Sequence, residues 1–217
     1  MPHLSTYSKE INGIFFQVRE PIVKDHQKTT LMLHGWTGDE HAMWIFASRL
    51  PATDMLLAPR GLFRTAHGGF SWHSDKVKSW PWVDDFQPAV EALLEAITPQ
   101  YFPGVDINSV RMVGFSQGAA LAFSFALLNP KRVSAVAALS GFLPDGAQAL
   151  ARNKPLSGKD IFVTHGTQDH LVPVERARDG VNILQMAGAQ VTYCEDNVGH
   201  KLSRNCFRGL QGFFEGL

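Results

Sequence analysis

Val110-Arg-Met-Val-Gly-Phe115 runs into Ser116-Gln-Gly118 and on through Ala119-Ala-Leu-Ala-Phe-Ser-Phe-Ala-Leu-Leu128. This stretch decides the fold. The first six residues, apolar except for Arg111, have the composition of a buried strand. The run from Ala119 to Leu128 has helix length, and Asn129-Pro130 stops it. Between them lies Gly114-x-Ser116-x-Gly118. A serine on a tight turn between strand and helix is displayed at the sheet edge on a strained backbone. Glycines two residues to either side let strand and helix approach without colliding Cβ atoms. Ser116 is therefore the candidate nucleophile.

A nucleophilic serine needs a base, and the base needs an orienting acid. Asp160-Ile-Phe-Val-Thr164 reads as a strand running into His165-Gly-Thr-Gln-Asp169, which leaves Asp169 in a loop past the strand end. A helix over residues 174–187 and a β-rich stretch from Gln190 to Cys194 follow, and then Gly199-His200-Lys201 precedes the last helix. Each candidate lies where a strand has just ended, the edge of a parallel sheet where active sites gather. The expected triad is Ser116, Asp169 and His200. Ser140 also ends an apolar run, Val133 to Leu139, but lacks the preceding glycine; Asp145 is the alternative acid. Glu195 and Asp196 read as solvated loop carboxylates, and His165 as a structural loop residue. No His-x-x-x-His helix or cysteine cluster accompanies His165, Asp169 and His170, so no metal is expected.

The chemistry also needs two N–H groups for the developing oxyanion. One is the backbone N–H of Gln117, at the positive end of the following helix. The other belongs to the loop His34-Gly35-Trp36-Thr37-Gly38-Asp39-Glu40, which leaves the strand Thr29-Thr-Leu-Met-Leu33 and leads to a helix starting near Asp39. Trp36 is expected to donate its main-chain N–H there.

Five segments together resemble the small phospholipase/carboxylesterase family of α/β-hydrolases, which includes acyl-protein thioesterase-like enzymes. They are Leu33-His-Gly-x-x-Gly-Asp39, Ala58-Pro-Arg-Gly61 with Gly68-Gly-x-x-Trp72, Gly-Phe-Ser116-Gln-Gly-Ala119, His165-Gly-Thr-x-Asp-x-x-Val-Pro173 and Gly199-His200. The likeness runs from residue 33 to residue 200, and the order Ser, Asp, His is that of α/β-hydrolases. The resemblance implies an α/β-hydrolase fold, a mostly parallel central sheet with helices on both faces. It also implies cofactor-free hydrolysis of carboxylic esters or thioesters through an acyl-serine. Trp36-Thr37 and Trp80-Pro-Trp82 depart from the family pattern and bear on acyl preference, not on the chemistry.

The chain has 217 residues, 45% of them hydrophobic, and reads as one domain spanning 1–217. Twenty basic and twenty acidic residues balance, leaving no electrostatic footprint for nucleic acid or anionic membrane. Met1 to Glu10 lacks the apolar core of a leader, and no apolar stretch reaches membrane-spanning length. The expected setting is cytoplasmic, with no stable membrane association and a small-molecule ester as partner. Cys194 and Cys206 are too few for a disulfide framework and are expected as two reduced thiols.

Strands and helices alternate throughout, as in a parallel sheet covered on both faces. Asn12 to Val18 reads as an edge strand and Asp54 to Ala58 as a buried one, while Asp84-Asp-Phe-Gln87 resembles a capping box opening a helix to Ile97. Gly141 to Lys159 has room for a loop and one short helix, so no large lid domain is expected. All five tryptophans fall between residues 36 and 82. Trp44 reads as helix core, and Trp36, Trp72, Trp80 and Trp82 as an aromatic pocket wall. An open aromatic site favours short-to-medium acyl or aromatic esters. Lysophospholipase or acyl-protein thioesterase activity, an acyltransferase and a non-catalytic receptor are the alternatives.

Overall fold

Alternation along the central strands divides the apolar residues between two cores. In the computed structural model, which describes residues 5–22, 28–77 and 80–217, Leu31 and Leu33 face one core and Met32 faces the other. Ten strands are described: β1 (Thr6–Ile11), β2 (Ile14–Arg19), β3 (Thr29–Leu33), β4 (Met55–Pro59), β5 (Phe63–Arg64), β6 (Phe70–Ser71), β7 (Val110–Phe115), β8 (Val133–Leu139), β9 (Asp160–Gly166) and β10 (Gln190–Asp196). The helices are α1 (Gln87–Ala96), α2 (Gln117–Leu128), α3 (Ala147–Ala151), α4 (Val174–Met186) and α5 (Arg204–Glu215). A 3-10 segment, Ala42–Arg49, stands where a helix from Asp39 was expected. Asp39 holds the turn that leads into it, its Oδ1 accepting from the N–H groups of His41 and Ala42 at 2.9 and 3.1 Å.

Eight strands form one sheet in the order β1-β2-β4-β3-β7-β8-β9-β10. From β4 to β10 every neighbour pair is parallel, while β1 and β2 add an antiparallel edge. Residues of α1, α2 and α4 pack in one core; the Ala42–Arg49 segment and α5 pack in the other. Both faces are thus covered, as purely parallel strands require. Helix α2 is nearly apolar all round and almost every residue is buried, which is how a helix behaves in the middle of a layered core. The chain steps from β3 outward to β4, then returns to lay β7 on the other side of β3. That reversal opens a crevice at the carboxyl ends of β3 and β7.

Two sequence expectations change here. The edge strand is a hairpin: Asn12 and Gly13, with φ of 51° and 82°, turn the chain between β1 and β2. An Asn-Gly pair with both φ positive is the two-residue turn whose twist suits paired strands. The capping residues at the start of α1 also shift. Asp85 caps a short 3-10 turn, Val83–Phe86, by accepting from the Trp82 N–H at 2.7 Å, and α1 continues from it. Between β8 and β9 the chain carries the five-residue α3 and turns. Met1 to Leu4, part of the stretch read for a leader, lie outside the described residues.

The cysteines correct a further expectation. Cys194 on β10 and Cys206 on α5 form a disulfide with Cα atoms 5.7 Å apart. The bond forms because α5 packs back on β10, with Cys206 buried in its first turn. It closes a loop with a sequence separation of 12 that contains His200. Loop-closure entropy for a ring of this size is worth about 3 kcal/mol. Reduction, or Cys206→Ser, is therefore expected to lower the urea midpoint and, by letting the unfolded chain expand, to raise the m-value slightly; an unchanged midpoint would show that the bridge contributes nothing.

Candidate active site

Ser116 has φ 53° and ψ −117°, a strained conformation between the end of β7 and the start of α2. The surrounding backbone over-determines it. A Cβ on Gly114 would lie 2.3 Å from the Gly118 carbonyl oxygen, and one on Gly118 would lie 2.1 Å from that of Leu33. Only glycine at both positions lets β7, α2 and β3 meet. The Ser116 N–H donates to the Leu139 carbonyl at 2.9 Å, tying the elbow to β8.

The candidate acid and base come from the ends of β9 and β10. Asp169 is buried, its Oδ1 accepting from the N–H groups of Leu171 and Val172, each at 2.9 Å. Its Oδ2 accepts from His200 Nδ1 at 2.7 Å. Burial alone would raise the Asp169 carboxyl pKa; the Val172 N–H, the His200 imidazole and the Leu171 N–H outweigh it and hold the group below its ordinary value. An ionised carboxylate only accepts, so His200 carries a proton on Nδ1, which in the neutral ring leaves Nε2 bare. The two loops are joined by Thr167 N–H to Asp196 O at 2.9 Å and Gln168 N–H to Val198 O at 3.0 Å. His165, read as structural, is buried behind them, with Nε2 donating to Val172 O at 2.8 Å.

Ser116 and His200 line one cavity of about 610 Å³. Among the described residues no hydrogen bond joins Ser116 Oγ to His200; this contact commonly tightens only when substrate binds. Trp36 and Gln117 line the same cavity, and neither backbone N–H donates to a protein acceptor among the described residues. The Gln117 side chain is committed elsewhere: Oε1 accepts from Trp72 N–H at 3.1 Å and Nε2 donates to Ser71 Oγ at 2.9 Å. It braces the start of α2 against β6.

The alternatives lie away from this cavity. Ser140 is fully buried and its Oγ is sealed in the core. Asp145 pairs with Arg176 at 3.2 Å and borders a separate hollow. Glu195 holds Arg178 at 2.7 Å and accepts from the Tyr193 hydroxyl. Among the described residues no group of three or more metal-ligating side chains is placed to hold an ion.

The tryptophan wall divides. Trp36 and Trp80 line the cavity, with Trp36 edge-on to His67 and Trp80 edge-on to Phe142. Trp72 does not: it is completely buried and donates Nε1–H to the His34 carbonyl at 2.7 Å. Its indole is large and apolar enough to fill the space under the loop, and its one donor is satisfied there. Trp82 does not either: it is exposed and lines the hollow around Asp145 and Arg176, because its backbone pairs beside Asp145 and turns the ring outward. The sequence reading missed Thr65, His67, His73 and Asp75, which come from the β5–β6 hairpin and the loop after it. Their signal was the Gly68-Gly69 pair, a turn between two very short strands.

An eight-stranded, mostly parallel sheet with helices on both faces and a serine elbow after β7 is an α/β-hydrolase fold. The Phospholipase/Carboxylesterase family profile matches residues 15–216, and the chain belongs to that family. A probable carboxylesterase of Oryza sativa subsp. japonica is 31% identical over 129 residues, 58% of this chain and 48% of that one. A probable inactive carboxylesterase of the same organism is 31% identical over 121 residues, 55% of this chain and 49% of that one. The chain thus spans about half the length of these relatives. An acyl-protein thioesterase 1 of Yarrowia lipolytica is 28% identical over 171 residues, covering 71% of this chain and 75% of that one. Among solved structures, a carboxylesterase from Mesorhizobium loti superposes with a TM-score of 0.78 at 20% identity, covering 97% and 99% of the two chains. The carboxylesterase of Bacillus cereus gives 0.77 at 21% identity, covering 94% and 95%. At these identities the structural likeness speaks for the fold. No helix among the described residues is long and apolar enough to cross a membrane.

Proposed function

We propose that this protein is a serine carboxylesterase that hydrolyses short-to-medium acyl or aromatic esters through an acyl-serine. The observation that carries the reading is the Asp169–His200 hydrogen bond of 2.7 Å. It orients the imidazole on the rim of the cavity that Ser116 also lines. In this reading Ser116 Oγ attacks the ester carbonyl while His200 Nε2 takes its proton. The oxygen that becomes negative is received by the Trp36 and Gln117 N–H groups, Gln117 adding the positive end of α2. The intermediate collapses, the alcohol leaves with the proton from His200, and water repeats the sequence to free the acid. One relative is named as inactive; the three reacting side chains in this chain, two of them hydrogen-bonded, favour an active enzyme.

Fluorophosphonate labelling tests the reading directly. The expected adduct is on Ser116, absent from Ser116→Ala and slowed by prior incubation with an ester. A label elsewhere, or none, overturns it. A series of nitrophenyl esters tests the substrate class. The cavity walled by Trp36, Trp80, Phe142 and Leu171 predicts a maximum at short or medium acyl length. A maximum at sixteen carbons or beyond, with activation at a lipid interface, would refute that part.

A further inference from the structure

His34 immediately precedes the loop that carries Trp36, yet it is fully buried and does not line the cavity. We propose that His34 is the positioning residue of the oxyanion hole: its Nδ1–H holds the Gly35 carbonyl and so aims the Trp36 N–H at the reacting oxygen. The inference rests on the esterase reading above.

The tautomer follows from the neighbours. The Gly61 amide N–H lies 2.8 Å from His34 Nε2. An amide N–H can only donate, so Nε2 is bare, and a neutral ring must then carry its proton on Nδ1. Nδ1 lies 2.7 Å from the Gly35 carbonyl oxygen. Burial pushes the pKa of the ring down. The Gly35 carbonyl and the carboxylates of Asp39 and Glu40 oppose that shift, and Arg60 adds to it; the net direction is down, so the ring stays neutral.

The Gly35 carbonyl and the Trp36 N–H belong to one peptide unit, and no cis bond occurs among the described residues. In a trans peptide these two groups point in opposite directions across a rigid plane. Fixing the carbonyl therefore fixes the direction of the N–H. A second bond, from Gly38 N–H to Gly35 O at 3.0 Å, holds the same oxygen. The ring itself cannot swing. It packs on Trp72 with centroids 4.7 Å apart, and a Cβ at position 38 would sit 2.8 Å from Nδ1, so the loop closes over the imidazole only because residue 38 is glycine. Trp72 extends the arrangement to the other donor: its indole N–H holds the His34 carbonyl and its backbone N–H holds the Gln117 side chain. The arrangement also supplies a reason for the Arg-Gly61 segment after β4, whose amide sets the histidine tautomer.

Three substitutions separate this role from ordinary core packing. In His34→Asn the amide nitrogen takes the place of Nδ1 and keeps the bond to Gly35, losing Gly61. In His34→Gln the amide oxygen takes the place of Nε2 and keeps Gly61, losing Gly35. His34→Leu loses both. For His34→Gln and His34→Leu, kcat on a short nitrophenyl ester is expected to fall by about 10²–10³-fold, with KM changed less than about threefold. Affinity for a trifluoromethyl ketone, which forms an oxyanion on Ser116, is expected to fall in parallel. His34→Asn is expected to recover kcat to within about tenfold of wild type. Should the leucine variant fail to fold, the asparagine–glutamine pair decides alone. Equal losses in that pair, or losses that follow melting temperature and leave ketone affinity untouched, overturn the proposal. Failure of the esterase reading looks different: the wild type would not turn over the ester, or Ser116→Ala would match it.

Discussion

Ser116→Ala is expected to lower ester turnover by about 10⁶-fold, and His200→Ala by nearly as much. Nucleophile and base act as one unit, since an unactivated hydroxyl is a poor nucleophile and a base without it has no proton to take. The double variant is therefore expected to be no worse than either single one. Residual turnover above the uncatalysed rate, about 10³–10⁴-fold, should survive in all three, because the Trp36 and Gln117 N–H groups remain in place. The measurement is kcat on one short nitrophenyl ester, with folding of each variant checked by its melting temperature. Ser140→Ala is the control. Ser140 directly follows β8, one strand over, but its side chain is sealed in the core, so its loss is expected to leave turnover within about twofold. Loss of activity in Ser140→Ala with retention in Ser116→Ala would reverse the assignment of the nucleophile.

The candidate-site residues whose placement was legible in the sequence are those fixed by local backbone chemistry. Ser116 is announced by two glycines whose absent side chains make room for β3 and α2. Asp169 and His200 each follow the end of a strand, and parallel strands bring all their carboxyl ends to one edge. What local pattern does not encode is which way a large side chain turns. Trp72 and Trp80 are eight residues apart in one aromatic-rich stretch, yet one is core and the other wall. Their fates are set by the Gln117 side chain and the His34 carbonyl, on one hand, and by Phe142 on the other. None of those partners is near in sequence. The disulfide was hidden for the same reason, because the packing of α5 on β10 brings the two cysteines within reach. The hairpin at Asn12-Gly13 was legible and was missed: the alternation that marks a half-buried strand is weak in β1, where nearly every side chain is solvent-facing.

Asp169→Asn is expected to lower kcat by about 10⁴-fold, less than loss of Ser116 or His200 and far more than a surface change. The geometry gives the reason. The asparagine oxygen can still accept from the Leu171 and Val172 N–H groups that hold Oδ1. That choice places the NH₂ where Oδ2 now receives His200 Nδ1–H. A donor facing a donor drives the histidine proton to Nε2, the nitrogen that has to take the serine proton. The pH dependence of stability supplies a second check. The folded Asp169 carboxyl sits below its ordinary value, whereas the unfolded chain titrates near about 3.9. The unfolded state therefore binds a proton first on acidification. The stability the carboxylate contributes is fully present above the unfolded pKa and is lost as pH falls through the lower folded one. Asp169→Asn has no such group, so its urea midpoint should lie furthest below wild type above pH 5 and converge on it in strong acid. Asp145→Asn provides the contrast, since Asp145 meets Arg176 outside the cavity that Ser116 and His200 line, and it is expected to keep kcat within about threefold. If Asp145→Asn abolished turnover while Asp169→Asn retained most of it, the acid would come from the loop after β8 and the orientation of His200 would need another explanation.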